Sequence, residues 1–192
     1  MLRISRLSCD EGLALLGIAR RAISGAVIEN RLPDFPPFSD SLSVLRGVFV
    51  TLYRGGKLRG CMGQVENPGP LAEAVVRAAL NSALHDPRFS PVGVEEVASL
   101  EIEISVLSPL EPVAPDAIIA GRHGLLVVRH PFRGLLLPQV AAERRWSGQR
   151  LLEETCAKAG LPRDAWRDPK TQVSAFTAEI FSESELRTIS RI

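Results

Sequence analysis

Lysine is scarce in this 192-residue chain: Lys57, Lys158 and Lys170 are the only three, so the 23 Lys and Arg residues are nearly all arginine. Against 22 acidic residues they leave a formal net charge of +1. No long block of like charge forms, and Arg20-Arg21 and Arg144-Arg145 fall in segments expected to be helical, where one face is normally solvated. A dedicated nucleic-acid surface is therefore not expected. Cysteine is scarce too. Cys9, Cys61 and Cys156 are odd in number and widely spaced, which excludes a disulfide framework and the paired spacing of a structural zinc site. Three free thiols are the expectation.

Long apolar runs are missing as well. Stretches such as Leu13 to Ala19 are far shorter than a bilayer span, and Met1-Leu2-Arg3-Ile4 lacks the apolar core of a secretory signal. A cytoplasmic location without membrane association is the expectation. Neither a Walker loop nor a Rossmann fingerprint is present, so no nucleotide is indicated and the cofactor is unknown. No internal repeat or low-complexity tract is found. What remains is ordinary globular composition, 45% hydrophobic and 23% charged.

Ser8-Cys9-Asp10-Glu11 has the form of a capping box, and Leu13, Leu16, Ala19, Ile23 and Val27 then recur at helical spacing. Residues 30–40 carry Pro33, Pro36 and Pro37 beside Phe35 and Phe38, an extended connection pinned by its aromatics. Gly47 to Tyr53 and a second apolar run through Cys61 flank Gly55-Gly56 and predict a β-hairpin. Pro70 is placed as a first helical residue, with Leu71, Ala74, Val75, Ala78 and Ala79 forming a stripe.

Leu100 to Val106 alternates strictly, so Ile102, Ile104 and Val106 should face a core, and Glu101, Glu103 and Ser105 the other side. Gly124 to Val128 and Gly134 to Leu137 frame a turn at residues 130–134. Helices are expected from Pro138 and from Ser147 to Gly160, then a final strand from Val173 to Phe181. Hairpins and helices without repeated βαβ units predict an α+β fold, a mainly antiparallel sheet with packed helices and room for a large and a small lobe. A single domain over 1–192 is expected, with the helix and Pro-rich connection in 1–46 and the main body in 47–192.

The best candidate site is Cys61, within Leu58-Arg59-Gly60-Cys61-Met62-Gly63. Gly60 and Gly63 would let the chain turn sharply or let a ligand approach main-chain N–H groups, and Arg59 supplies a nearby positive charge. Alternation along a strand would point Arg59 to a different surface from Cys61. The alternative is that Cys61 is a small buried hydrophobe and the glycines mark a bulge or tight packing.

His123, in Gly121-Arg122-His123-Gly124, is the candidate base or second ligand for Cys61; its alternative is a turn histidine bonding the backbone. Cys61, His123 and a carboxylate could in principle hold a metal, but no local His or Cys pair supports one, and none is expected. Arg88 and Phe89, in Asp86-Pro87-Arg88-Phe89, suit recognition of a carboxylate or phosphate. Otherwise Phe89 anchors the loop and Arg88 pairs with Asp86 or a helix end. Trp146 and Trp166 read as packing residues.

Phe49-Val50-Thr51-Leu52, Leu58 to Gly63, Asp86 to Phe89, Glu101 to Leu107, Gly121 to Gly124, Leu137 to Ala141 and Cys156 to Leu161 resemble the AMMECR family, named for the Alport syndrome, midface hypoplasia and elliptocytosis chromosomal region. Met62 stands where the family pattern commonly has Ile, a volume-conserving change. The resemblance implies a cytoplasmic α+β protein, often encoded in prokaryotes beside a Memo-like protein and a radical SAM protein. Two functions follow as expectations. One is a Cys61-dependent enzyme or enzyme subunit acting with those partners on a small molecule or protein. The other is a noncatalytic ligand-binding or adaptor module in which Cys61 only packs.

Overall fold

The computed structural model describes residues 6–35 and 38–185. In chain order its first elements are α1 (Cys9–Ile28), β1 (Val48–Arg54), β2 (Lys57–Gln64), α2 (Leu71–Leu84), α3 (Val94–Val97) and β3 (Leu100–Leu107). There follow β4 (Glu111–Pro112), β5 (Gly124–Arg129), β6 (Phe132–Leu136), α4 (Pro138–Glu143), α5 (Gly148–Lys158), β7 (Gln172–Phe176) and β8 (Ala178–Ser182). The fold is α+β. Its contacts divide into two compact units, one running to Leu107 and resuming at Glu179, the other spanning Ser108–Ala178.

The first unit carries a four-stranded sheet in the order β2-β1-β3-β8. Gly55 and Gly56, at φ +56° and +72°, form the two-residue turn joining β1 to β2. Both central residues need positive φ, which glycine supplies without a Cβ penalty. β3 pairs antiparallel with the other side of β1, matching Val50 to Ile104 and Leu52 to Ile102. These four side chains are fully buried, with α1 and α2 contributing to the same core. The Ser8 hydroxyl and the Glu11 carboxylate cap α1 reciprocally, as the sequence predicts.

Details of the expected stripes shift. Leu15 is buried while Leu13 is exposed. Pro70 caps α2 from outside rather than starting it. Ser105 is buried although it lies on the strand face opposite Ile104.

The second unit holds a sheet in the order β4-β7-β5-β6, antiparallel throughout. Leu125, Val127, Leu151, Leu152 and Cys156 form its core, between β5 and α5. Ser147 caps α5 by accepting from the Arg150 N–H at 3.1 Å, and Gly160 follows the helix at φ +77°.

Three expectations are corrected. The second hairpin turns at His130-Pro131, so Phe132, Arg133 and Gly134 belong to β6. Gly134 is required by packing: a Cβ there would sit 2.4 Å from the Ala159 nitrogen behind α5. The expected final strand is two strands in different sheets, parted at Thr177, whose N–H donates to the Ser108 hydroxyl at 2.9 Å. Arg144 and Arg145 end a helix rather than continue one, Arg145 at φ 53°.

Candidate functional site

A single extra residue in β2 determines where Cys61 faces. Counted from the turn, Arg54 pairs with Lys57 and Tyr53 with Leu58, so an unbroken ladder would set Cys61 opposite Val50, facing the helical core. The register instead shifts between Leu52 and Tyr53. Arg59 is the residue bulged out, and Cys61 falls opposite Thr51, on the other face. There the Thr51 hydroxyl donates to the Cys61 Sγ at 3.4 Å. Glu103 continues the same row on β3. Cys61 is partly exposed, whereas Cys9 is exposed and Cys156 buried.

β2 is the outer strand of its sheet, and at Cys61 its free edge is occupied by side chains from the loop after α2. The Cys61 N–H donates to Asp86 Oδ2 at 2.8 Å, and the Cys61 carbonyl accepts from Arg88 Nη2 at 3.0 Å. Asp86 is itself buried and also accepts from the Arg88 backbone N–H at 3.1 Å, Nε at 2.9 Å and Nη2 at 2.6 Å. Hydrogen bonds from Arg88 outweigh desolvation and, with the Cys61 N–H, hold the Asp86 carboxyl well below the usual carboxylate range. The same bonds to Asp86 hold the Arg88 proton more tightly than usual, and the Cys61 side chain adds a smaller contribution. The guanidinium is thus bonded to the Cys61 backbone carbonyl.

A second clamp lies two residues earlier. Arg59 grips Glu96 through Nε at 2.9 Å and Nη2 at 2.8 Å, and donates from Nη1 to the Ser90 carbonyl at 2.9 Å. Hydrogen bonds from Arg59, then from the Gly93 N–H, push the Glu96 carboxyl down to about 2. Both Arg59 and Arg88 lie over the Phe89 ring, at 5.9 Å and 5.5 Å from its centroid.

Both faces of β2 are tightly packed at its glycines. A Cβ on Gly60 would sit 2.1 Å from the Ser82 carbonyl oxygen, and one on Gly63 would sit 2.6 Å from the Phe49 ring. The Ser82 hydroxyl accepts from the Met62 N–H at 2.8 Å and donates to the Val50 carbonyl at 2.7 Å, tying α2 to both strands.

Residues 16–181 match the AMMECR1 family. The chain belongs to it. A protein of Methanothermobacter thermautotrophicus is 46% identical over 192 residues, covering 95% of this chain and 99% of that one. Protein TK0174 of Thermococcus kodakarensis is 44% identical over 190 residues, covering 93% of each. The crystal structure of the uncharacterized protein PH0010 from Pyrococcus horikoshii matches with a TM-score of 0.83 and 44% identity, over 90% of this chain and 91% of that one.

In this AMMECR1-family chain, Arg59, Gly60, Cys61, Gly63 and Arg88 gather around β2. His123 lies in the second unit, where its Nδ1 accepts from the Ile119 N–H at 3.2 Å and its own N–H donates to the Ile119 carbonyl at 2.9 Å. Trp146 and Trp166 are half-buried against that unit's core. Among the described residues no cluster of His, Cys, Asp and Glu could hold a metal ion, and no helix is long and apolar enough to cross a membrane.

Asp86 pairs with Arg88, as one of the two sequence readings of that loop had it, whereas Thr51, Ser82 and Glu96 complete the surroundings of β2 without having been singled out from the sequence. Asp86 had one local signal, an aspartate ahead of a proline, a pattern that bonds its own following backbone. Thr51 had none, because the bulge that brings it opposite Cys61 is invisible in residue spacing.

Proposed function

We propose that this AMMECR1-family chain is a cytoplasmic, Cys61-dependent enzyme or enzyme subunit that modifies a small molecule or a protein, acting with Memo-like and radical SAM partners. The observation that carries the chemistry is the setting of one partly exposed thiol. A hydroxyl donates to the Cys61 sulfur, and its backbone is held on both polar atoms, the N–H by Asp86 and the carbonyl by the Arg88 guanidinium. A donor and a cation are the groups that stabilise negative charge on sulfur. The support for the partners is the family resemblance. His123 is the expected assisting base; with its Nδ1 accepting from the Ile119 N–H, the neutral ring carries its proton on Nε2, and a base role requires that this bond be released.

The test is site-resolved alkylation of the folded protein with iodoacetamide near neutral pH, read by peptide mass spectrometry. Cys61 is expected to label faster than exposed Cys9, although Cys9 is the more accessible thiol. Labelling of Cys61 no faster than that of Cys9 would remove the thiol from the mechanism. His123→Ala, in the same assay, reports whether the imidazole contributes.

One observation favours the adaptor alternative: Arg59, Asp86 and Glu96 are bonded within the loop and strand, as a scaffold requires. On that reading Cys61→Ala keeps stability, partner binding and cellular function together. Loss of cellular function with the fold and partner binding intact selects the enzyme.

A further inference from the structure

Arg88 is fixed from one side and open on the other. Its backbone N–H, Nε and Nη2 donate to Asp86, and Nη2 also donates to the Cys61 carbonyl. Nη1 donates to no acceptor among the described residues. The Asp86 side chain is 1% exposed while that of Arg88 is 53% exposed, so a buried carboxylate anchors a guanidinium that reaches solvent. The Arg88 guanidinium carbon also lies over the Phe89 ring, 5.5 Å from its centroid. A planar cation held this way has already lost the rotamer freedom that binding would otherwise remove. The same guanidinium is bonded at 3.0 Å to the carbonyl of Cys61, the one partly exposed thiol. Glu101 and Glu103, the acidic groups of β3 on that face, are two strands away from Cys61, Glu103 on the order of 10 Å at ordinary strand spacing.

We propose that Arg88, through Nη1, holds an oxyanion of the substrate, a carboxylate or a phosphate, beside the Cys61 thiol; this rests on the Cys61-dependent reading above. Arg88 is then a specificity-determining residue. The substrate is an anionic molecule, or an acidic or phosphorylated group on a protein, whose reacting atom lies a short distance from its charge.

Two small electrophiles separate the charge from the chemistry. With iodoacetate and iodoacetamide alike, the sulfur displaces iodide from a methylene carbon, forming one S–C bond and releasing iodide ion, but only iodoacetate carries a carboxylate. On the folded full-length chain, the ratio of iodoacetate to iodoacetamide rates at Cys61 is expected to exceed the ratio at Cys9 about tenfold, the scale of one charge-assisted hydrogen bond. Arg88→Gln is expected to lower it to the Cys9 value, with Arg88→Lys between. Inorganic phosphate and acetate, added separately to the unsubstituted protein, distinguish the two oxyanions: the preferred one slows iodoacetate labelling of Cys61 and leaves Cys9 unaffected. This arm needs no substitution, so misfolding of a variant leaves the test intact.

Equal ratios at the two cysteines, unchanged by either anion, would overturn the proposal. The ratio reports the anion and the absolute rate reports the thiol. Fast iodoacetamide labelling of Cys61 without an iodoacetate preference removes Arg88 as an anion holder and keeps the reactive thiol. Slow labelling by both reagents removes the thiol reading and this one with it.

Discussion

Asp86 organises more of the site than any residue the sequence made prominent. It takes the Cys61 N–H and three donors from Arg88 while almost wholly buried. Removing it leaves those donors without an acceptor. Asp86→Ala is therefore expected to destabilise the protein by about 2–3 kcal/mol, less than a fully buried pair because Arg88 reaches solvent. Urea denaturation measures this, and Asp86→Asn, which keeps an oxygen for the Cys61 N–H, should cost clearly less. The place of the site was legible, since the Cys61 segment and the Asp86-Pro87-Arg88-Phe89 loop both stand out as residue patterns. Their junction was not. It depends on a bulge at Arg59 that no spacing rule reveals, and on contacts between segments about 25 residues apart.

At the scale of elements, the glycines of β2 behave as packing positions. Gly60→Ala places a methyl against the Ser82 backbone carbonyl, which has no side-chain freedom with which to yield. A loss of about 1–3 kcal/mol is expected, with α2 displaced from the strand. Gly17, exposed on α1 with nothing within 4 Å of an added Cβ, makes the control: Gly17→Ala should stabilise by about 0.5–1 kcal/mol. Denaturation midpoints of opposite sign would separate close packing from simple helix propensity.

The hairpins and long helices were readable because glycine turns, capping residues and periodicity are local signals. The split of the last strand at Thr177 was not. Val173 to Phe181 contains neither Gly nor Pro, and its break is imposed by pairing with Ser108, a partner 69 residues away. The demand on Gly134 was hidden for a related reason: its glycine answers to the end of α5, not to its own turn.

For the whole molecule, the clamps around β2 make stability depend on acid. Glu96 has its folded-state pKa pushed down to about 2 from its ordinary value of 4.5. Between those values the unfolded chain takes up the proton first, so the stability the ion pair contributes is fully present above about 4.5 and lost as pH falls toward 2. On the order of 2 kcal/mol is expected from Glu96 after allowance for solvent screening, with Asp86 extending the loss to lower pH. Thermal melts between pH 5 and pH 2.5 check the sign; Glu96→Gln should start less stable at pH 5 and change less. The α+β class was legible from hairpins and helices together. Room for a large and a small lobe was legible too, but where the chain passes between the two units was not, because that rests on which strands share a sheet.

The side chains at Cys61 also bear on how copies of the chain behave toward one another. An outer strand with unsatisfied N–H and C=O groups is a template onto which a strand from another molecule can add. In β2 that template is closed at its middle, where Asp86 and Arg88 satisfy both polar groups of Cys61. The loop that frames the thiol is thus also a stopper against intermolecular strand addition. Asp86→Ala should consequently form β-rich aggregates at protein concentrations where the unsubstituted chain stays dispersed.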